Sequence, residues 1–286
     1  MVSLDAATVL LQWATGGMLF LWVTTRHRLV SLGYGWLMRG IFLVFAGIAL
    51  WIGIAYETVL LRELATAGLI VTTGAGLVTS ITRRRAGVSQ ARAEHDRRSE
   101  RVAAMTGIER TGAQDDDDDD DRGPEFDPIL DLIPALIGLI GVVAAGFEAG
   151  DALIAVPRLV AGALFLGAVS DAMLLGHWYL VQPGMPRAPL IELVRWTGWI
   201  WPFEVAFLLL PTGMISVLNG DIDDAYGGML GWFWVACAVF TIGLVFVTMA
   251  ALRERYYSAV MAATGLLYLA ILTAFGTDLV ARAILA

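Results

Sequence analysis

The sequence predicts an all-α, polytopic membrane bundle of about eight transmembrane helices. Three observations predict it. Hydrophobic residues fill 58% of the 286 positions and charged ones only 16%, against roughly half and a quarter in a soluble domain. The apolar residues fall in long, nearly uninterrupted runs instead of single-face patterns, as they do when the surroundings are hydrocarbon. The arginines alternate between loops, rich in one and poor in the next.

A helix needs roughly 20 apolar residues to cross the hydrocarbon. The first candidate is Thr8–Val23. The segment before it, "MVSLDAATVLLQW", lacks a basic stretch and carries Asp5, so it reads as an uncleaved first span and not a signal peptide. Trp36–Tyr56 and Leu64–Ile81 complete a first membrane region, residues 1–82. The polar region 83–128 follows. Its first half, "RRRAGVSQARAEHDRRSERVAAM", is helix-compatible and is expected to continue the third span. Arg83, Arg84 and Arg85 stand where anionic headgroups attract them. Its second half holds seven consecutive aspartates, Asp115–Asp121, followed by Gly-Pro. Adjacent carboxylates repel, and the run lacks the glycine turn and ligand spacing of a calcium loop, so it reads as a solvated linker. The second membrane region, 129–286, holds Ile129–Ala149, Leu153–Trp178, Leu190–Leu210, Met229–Leu252 and Ala259–Thr277.

Arginine placement orients these spans. With both termini outside, the inner segments collect Arg26, Arg28 and Arg39, the arm from Arg83 to Arg122, Arg187, Arg253 and Arg255, which is 15 of the 19 arginines. The outer loops "ETVLLRE", "FEAGDA" and "NGDIDDAYGG" are acidic. The predicted location is therefore a plasma membrane, with the long arm cytoplasmic. Every basic residue is arginine, a usage typical of GC-rich bacterial genomes.

Two pairs of segments match in register. "HRLVSLG" (His27–Gly33) and "HWYLVQPG" (His177–Gly184) both follow an inward-running span, and "GLVTSITRRR" and "GLVFVTMAALRER" both end one in arginines. Four spans followed by four spans would make a parallel repeat of the kind known in transporters. The alternative is eight unrelated spans sharing the same interface rules.

Ionisable residues inside spans are costly and normally face a bundle interior or a cavity. Asp171 lies about 10 Å into the membrane from His177 by the helical rise. Glu204 follows Pro202, which removes a backbone donor and frees the carbonyl of Gly198. Arg158 lies one turn into the fifth span, at the depth of Glu204, and the two are expected to pair. Glu192 and Arg195, three apart, are expected to pair on one helix face. Asp171, Glu192, Arg195 and His177 form an inner group, with Asp131 in reach from the fourth span; Arg158 and Glu204 form an outer one. Together they outline an access path for a proton or small solute.

His177 is the only histidine near a span; His27 and His95 lie in cytoplasmic segments. Bis-histidine haem ligation lacks a second membrane histidine, although Met173 or Met185 would serve as a partner. The reading preferred for His177 is an interfacial anchor with Trp178 and Tyr179, and the competing one is a titrating group. A single cysteine, Cys237, excludes multi-cysteine metal sites. "GAGLVT" lacks the preceding strand of a dinucleotide loop, so Thr72, Thr73, Gly74 and Gly76 read as helix-packing residues. With no HExxH motif or P-loop, no enzyme activity, metal or cofactor is predicted. The stretch "GHWYL", Gly176–Leu180, resembles one in uncharacterised bacterial multi-pass membrane proteins. That resemblance implies the membrane fold and carries no activity. The expected partners are the lipid bilayer and other subunits of a membrane complex, with no nucleic acid. The functional expectation is a transporter or permease for a small solute or ion. The alternatives are an accessory or assembly subunit and, third, a haem or quinone redox protein.

Overall fold

The computed structural model describes residues 5–88, 93, 97, 124–182, 185–254 and 256–285. The aspartate run, His95 and most of the arm lie outside the described residues. Among those described there are nine α-helices and no strand.

Helix α1 (Ala6–Thr25) begins at Asp5, whose carboxylate accepts the amides of Ala7 and Thr8, two of the donors a helix start leaves free. It is followed by α2 (Leu32–Ala55) and α3 (Leu60–Thr82). The third span does not continue into the arm as expected. A short 3-10 turn, Arg84–Ala86, follows it, and Gly87 at φ 67° turns the chain away, a conformation glycine adopts without strain. After the arm come α4 (Ile129–Glu148) and α5 (Ala152–Val181), the latter capped by Asp151. At 30 residues α5 is about 45 Å long and outreaches a hydrocarbon layer of about 30 Å. The chain continues through α6 (Ala188–Leu209), the short α7 (Gly213–Asn219), α8 (Met229–Arg253) and α9 (Tyr257–Ile284).

Seven of these helices are long and apolar enough to cross a membrane. The expected sixth span, α6, has the length but carries Glu192, Arg195 and Glu204, which sets it apart from the seven. The last span also runs further than its apolar pattern indicated. It continues through Asp278 and Arg282, both buried.

The helices pack as two rings of four. In one, α1, α2, α3 and α4 follow each other around and α4 closes back on α1; in the other, α5, α6, α8 and α9 do the same and α9 closes on α5. The rings meet through α1 and α5, the two most buried of the seven spans, with α4 also packed on α5. The crossing depends on glycine. A Cβ on Gly16 would overlap the carbonyl of Ala163, and one on Gly167 would overlap the backbone of Gly16. Close backbone approach through small residues is how helices associate where no hydrophobic force drives them together. Gly138 and Gly141 serve α4 in the same way, facing Thr15, Leu69 and Ala65. Gly74, expected to pack, faces open space instead.

Polar stitches gather the loops at two ends. At the arginine-rich end, Arg28 pairs with Glu125 at 2.8 Å and Arg83 donates to the Glu125 carbonyl at 3.2 Å. At the same end Trp178 Nε1 donates to Ser31 Oγ at 3.1 Å, and Arg187 donates to the carbonyls of Glu254 and, at 2.9 Å, Tyr256. At the acidic end, Asp224 accepts four amides, from Tyr226, Gly228, Leu230 and Gly231, at 2.8–3.3 Å, and so holds the start of α8. Some desolvation works against its charge, but those four amides prevail and hold its carboxyl below the usual aspartate range.

Candidate intramembrane polar site

Two groups of buried polar side chains lie at different depths. The one nearer the acidic end is built around Gly162 on α5. A Cβ there would stand 2.7 Å from Arg282 Nη2, 3.0 Å from Asp278 Oδ1 and 3.2 Å from Gln12 Nε2, so any larger residue would push these side chains from their positions. Gln12, from α1, donates to the Leu159 carbonyl. Arg282 Nε lies 2.9 Å from both oxygens of Asp278, one turn earlier on α9. Glu204 enters from α6 and is within electrostatic reach of Asp278, Arg282 and Arg158. Glu204 meets the Asp278 carboxyl within hydrogen-bonding range, while Gln12 Oε1 and Arg282 Nη2 have no partner among the described residues. The group therefore presents an unmet acceptor and an unmet donor in a fully buried setting.

Arg158 plays a different part from the one expected. It makes no ion pair with Glu204. Its Nε donates to the Phe207 carbonyl at 3.1 Å and its Nη2 to the Leu210 carbonyl at 2.5 Å. It thus satisfies carbonyls that the end of α6 leaves without amides.

About 20 Å along α5 from Arg158, by helical rise, lies Asp171, fully buried, with both carboxylate oxygens unpartnered. Tyr34 Oη reaches only its backbone carbonyl, at 3.4 Å. Nor does a nearby indole reach it: Trp13 Nε1 donates to the neighbouring Ser170 at 2.7 Å. The contrast with the other buried acids is sharp. Asp131 is held by Arg39 through two bonds of 2.7 Å. Glu63 is held by Arg62 at 2.9 and 2.6 Å, and Asp278 by Arg282. Arg62 also binds Asp5 and Thr8. Among the described residues, Asp171 alone is a buried carboxylate with no hydrogen bond to either oxygen, and Glu204 is the one whose contact is another carboxyl, that of Asp278.

The remaining predicted residues do not join them. His177 is exposed, its Nδ1 3.0 Å from Tyr268 Oη. Six residues separate it from Asp171, about 240° around a helix, so the two point to different sides. Trp178 binds the α1–α2 loop, while Tyr179 is buried and donates to the Pro186 carbonyl and so is no surface anchor. Glu192 does not pair with Arg195, which is exposed; it pairs with Arg26 and stands 3.7 Å from His27.

Sequence reasoning missed Arg39, Arg62, Asp278, Arg282 and Gln12. Arg39 counts among the inner-side arginines and Arg62 falls in the outer stretch "ETVLLRE", yet both sit in helices and are buried. The i,i+4 spacing of Asp278 and Arg282 was visible, but just beyond the apolar run. Nothing in the sequence singles out Gln12.

Three cavities flank these groups. A cleft of about 70 Å³ at the acidic end is lined by Asp5, Thr8, Glu57, Arg62, Glu148 and Leu159. Leu159 belongs both to this cleft and, through its carbonyl, to the Gln12 contact. A space of about 30 Å³ at the arginine-rich end is lined in part by Arg28, Gly35, Arg39, Glu125 and Phe126. A larger apolar cavity of about 690 Å³ lies between them. None of the three includes Asp171, Glu204 or His177. Among the described residues no three His, Cys, Asp or Glu side chains converge as metal ligands. No family model, curated protein or solved structure matches the chain.

Proposed function

We propose that this integral multi-pass membrane protein is a permease for a small cation, with the proton as the first candidate. Glu204 is the titrating group toward the outer face and Asp171 the one toward the inner face. The observation that carries the reading is Asp171, fully buried with neither carboxylate oxygen hydrogen-bonded, together with Glu204, a second buried acid that meets the Asp278 carboxyl and forms no ion pair among the described residues, while Asp131 and Glu63 each hold an arginine. An isolated charge in hydrocarbon is expensive, and a group kept there normally serves a pathway. The groups facing Glu204 are Asp278 and Arg282 from α9 and Arg158 from α5; those facing Asp171 are the phenols of Tyr34 and, beyond it, Tyr179.

In this reading α6 is the eighth span. Its Glu204 is internal, Glu192 is paired to Arg26, and Arg195 reaches toward headgroups on its aliphatic stem. The matching closure of the two rings supports a parallel four-plus-four repeat. The arginine-rich end is cytoplasmic, both termini lie outside, and the membrane is a bacterial plasma membrane.

The test is proton uptake into proteoliposomes under an imposed potential, followed with an internal pH dye. Glu204→Gln and Asp171→Asn are each expected to lower uptake at least about tenfold, the size of effect that losing about 1.4 kcal/mol of stabilisation on the path produces. Uptake equal in wild type and both variants sinks the reading.

A second reading, a non-catalytic subunit of a membrane complex, draws on Arg195. It is exposed eight residues into α6, with no ion pair among the described residues. If that arginine meets a partner subunit, Arg195→Ala releases the partner in mild detergent while the isolated chain stays monodisperse.

A further inference from the structure

The two rings leave one seam open. On one side of the α1–α5 crossing, α4 packs directly on α5 and α6 touches α1. On the other side, α2 and α9 do not close over the crossing, and a cavity of about 690 Å³ remains between them. Only side chains bridge it, notably Trp13, whose ring lies 4.4 Å from both Phe45 and Phe275. Leu37 and Val44 on its rim are 40% and 58% exposed, so the cavity opens sideways toward lipid.

The lining is apolar and aromatic, without a charged group. Trp13, Trp36, Phe42 and Phe45 supply four ring faces. The two indole N–H groups are engaged, Trp13 with Ser170 and Trp36 with Ser80 at 3.0 Å. Ser170 is the exception. It is 1% exposed, and its hydroxyl accepts from Trp13 but donates its own hydrogen to no described acceptor. One oriented donor in an apolar, ring-lined space of this size is the ordinary form of a small-molecule site, roughly 300–1,000 Å³.

Depth selects the ligand. Ser170 lies about 11 Å along α5 from His177, the residue at the arginine-rich end of that span, by helical rise. A phospholipid keeps its ester carbonyls at the interface and offers no acceptor that deep in a layer about 30 Å thick. We propose that this seam binds a membrane-dissolved lipophile with a flat ring and a carbonyl oxygen, the oxygen received by the Ser170 hydroxyl and the ring held among Trp13, Phe42 and Phe45. A benzoquinone bearing an alkyl tail has this chemistry.

The experiment uses the full chain in nanodiscs and titrates a decyl-substituted benzoquinone while following tryptophan fluorescence. Saturable quenching is expected. Ser170→Ala raises the apparent Kd about 5- to 10-fold, the loss of one buried hydrogen bond. Gly40→Leu removes the saturable component altogether, because a Cβ at Gly40 meets nothing within 4 Å and the added side chain fills the cavity without disturbing a helix contact. Thermal unfolding of Gly40→Leu should match wild type. Quenching that never saturates, or that persists in Gly40→Leu, overturns the proposal. So does equal affinity for decylbenzene, which lacks the carbonyl. A third overturning result is quenching by bromine-labelled acyl chains that Gly40→Leu abolishes and the quinone does not displace, which would identify the occupant as bilayer lipid.

Discussion

Arg39 and Asp131 join α2 to α4 through two hydrogen bonds, under the ring of Phe126, whose centroid is 4.4 Å from the guanidinium carbon. Removing one partner of such a buried pair strands the other charge. Arg39→Ala is therefore expected to destabilise the protein by about 3–5 kcal/mol, and Arg39→Met with Asp131→Leu to cost much less; detergent-solubilised unfolding curves of the single and double variants measure the difference. Asp171 should behave in the opposite way. With no partner to strand, Asp171→Leu leaves unfolding unchanged or shifts it upward, while proton uptake falls. A stability loss as large as that of Arg39→Ala would show that Asp171 has a structural partner. Asp224 is a case of pH linkage. Its folded-state pKa is depressed, so its stabilising contribution is complete above the ordinary aspartate value of about 3.9 and disappears as pH falls through the lower folded value. Amide exchange at Leu230 and Gly231 is expected to accelerate, relative to the rest of α8, only below about pH 4, and Asp224→Asn should remove that pH dependence.

Glycine sets what each helix can approach. Gly16→Val or Gly167→Val forces α1 and α5 apart at the most buried crossing, and a loss of about 3 kcal/mol or more is expected from overpacking against backbone; Gly74→Val, in open space, is the control. Here the sequence was only partly legible. The length and apolar character of the helices announced the spans, since the membrane sets both. The pairing of helices depends on which glycines face each other, and that needs the rotation of each helix about its axis. The long spans are apolar on nearly every side, so the sequence carries no amphipathic stripe to fix that rotation. For the same reason Glu192 seemed matched to Arg195 by spacing, while in space the α1–α2 loop brings Arg26 closer. Asp171 and Glu204 were legible because a lone acid in an apolar run is conspicuous. Arg39 and Arg62 were not, because an arginine near the end of a span reads as a loop residue until its burial is known.

At the scale of the molecule, the proposed orientation is open to direct test. Cys237 is the only cysteine and packs against Gly276, so Cys237→Ala gives a background for single cysteines. Cysteines at Glu57 and Asp223 are expected to react with an impermeant maleimide in whole cells, and cysteines at Arg85 and Glu254 only after lysis. Labelling of the second pair in intact cells would invert the topology. The two rings close in the same order, while the two short sequence matches, taken alone, do not separate a repeat from spans that share interface rules. The glycine crossing of α1 on α5 has a consequence for assembly. The rings are linked in the chain by the three residues Ala149, Gly150 and Asp151, while their contact runs along whole helices. Two separate polypeptides, divided at Gly150 and made together, are therefore expected to find each other in the bilayer and purify as one complex. On that expectation the two rings would act as a heterodimer joined by a dispensable hinge, with the pair of glycines as the part that cannot be spared.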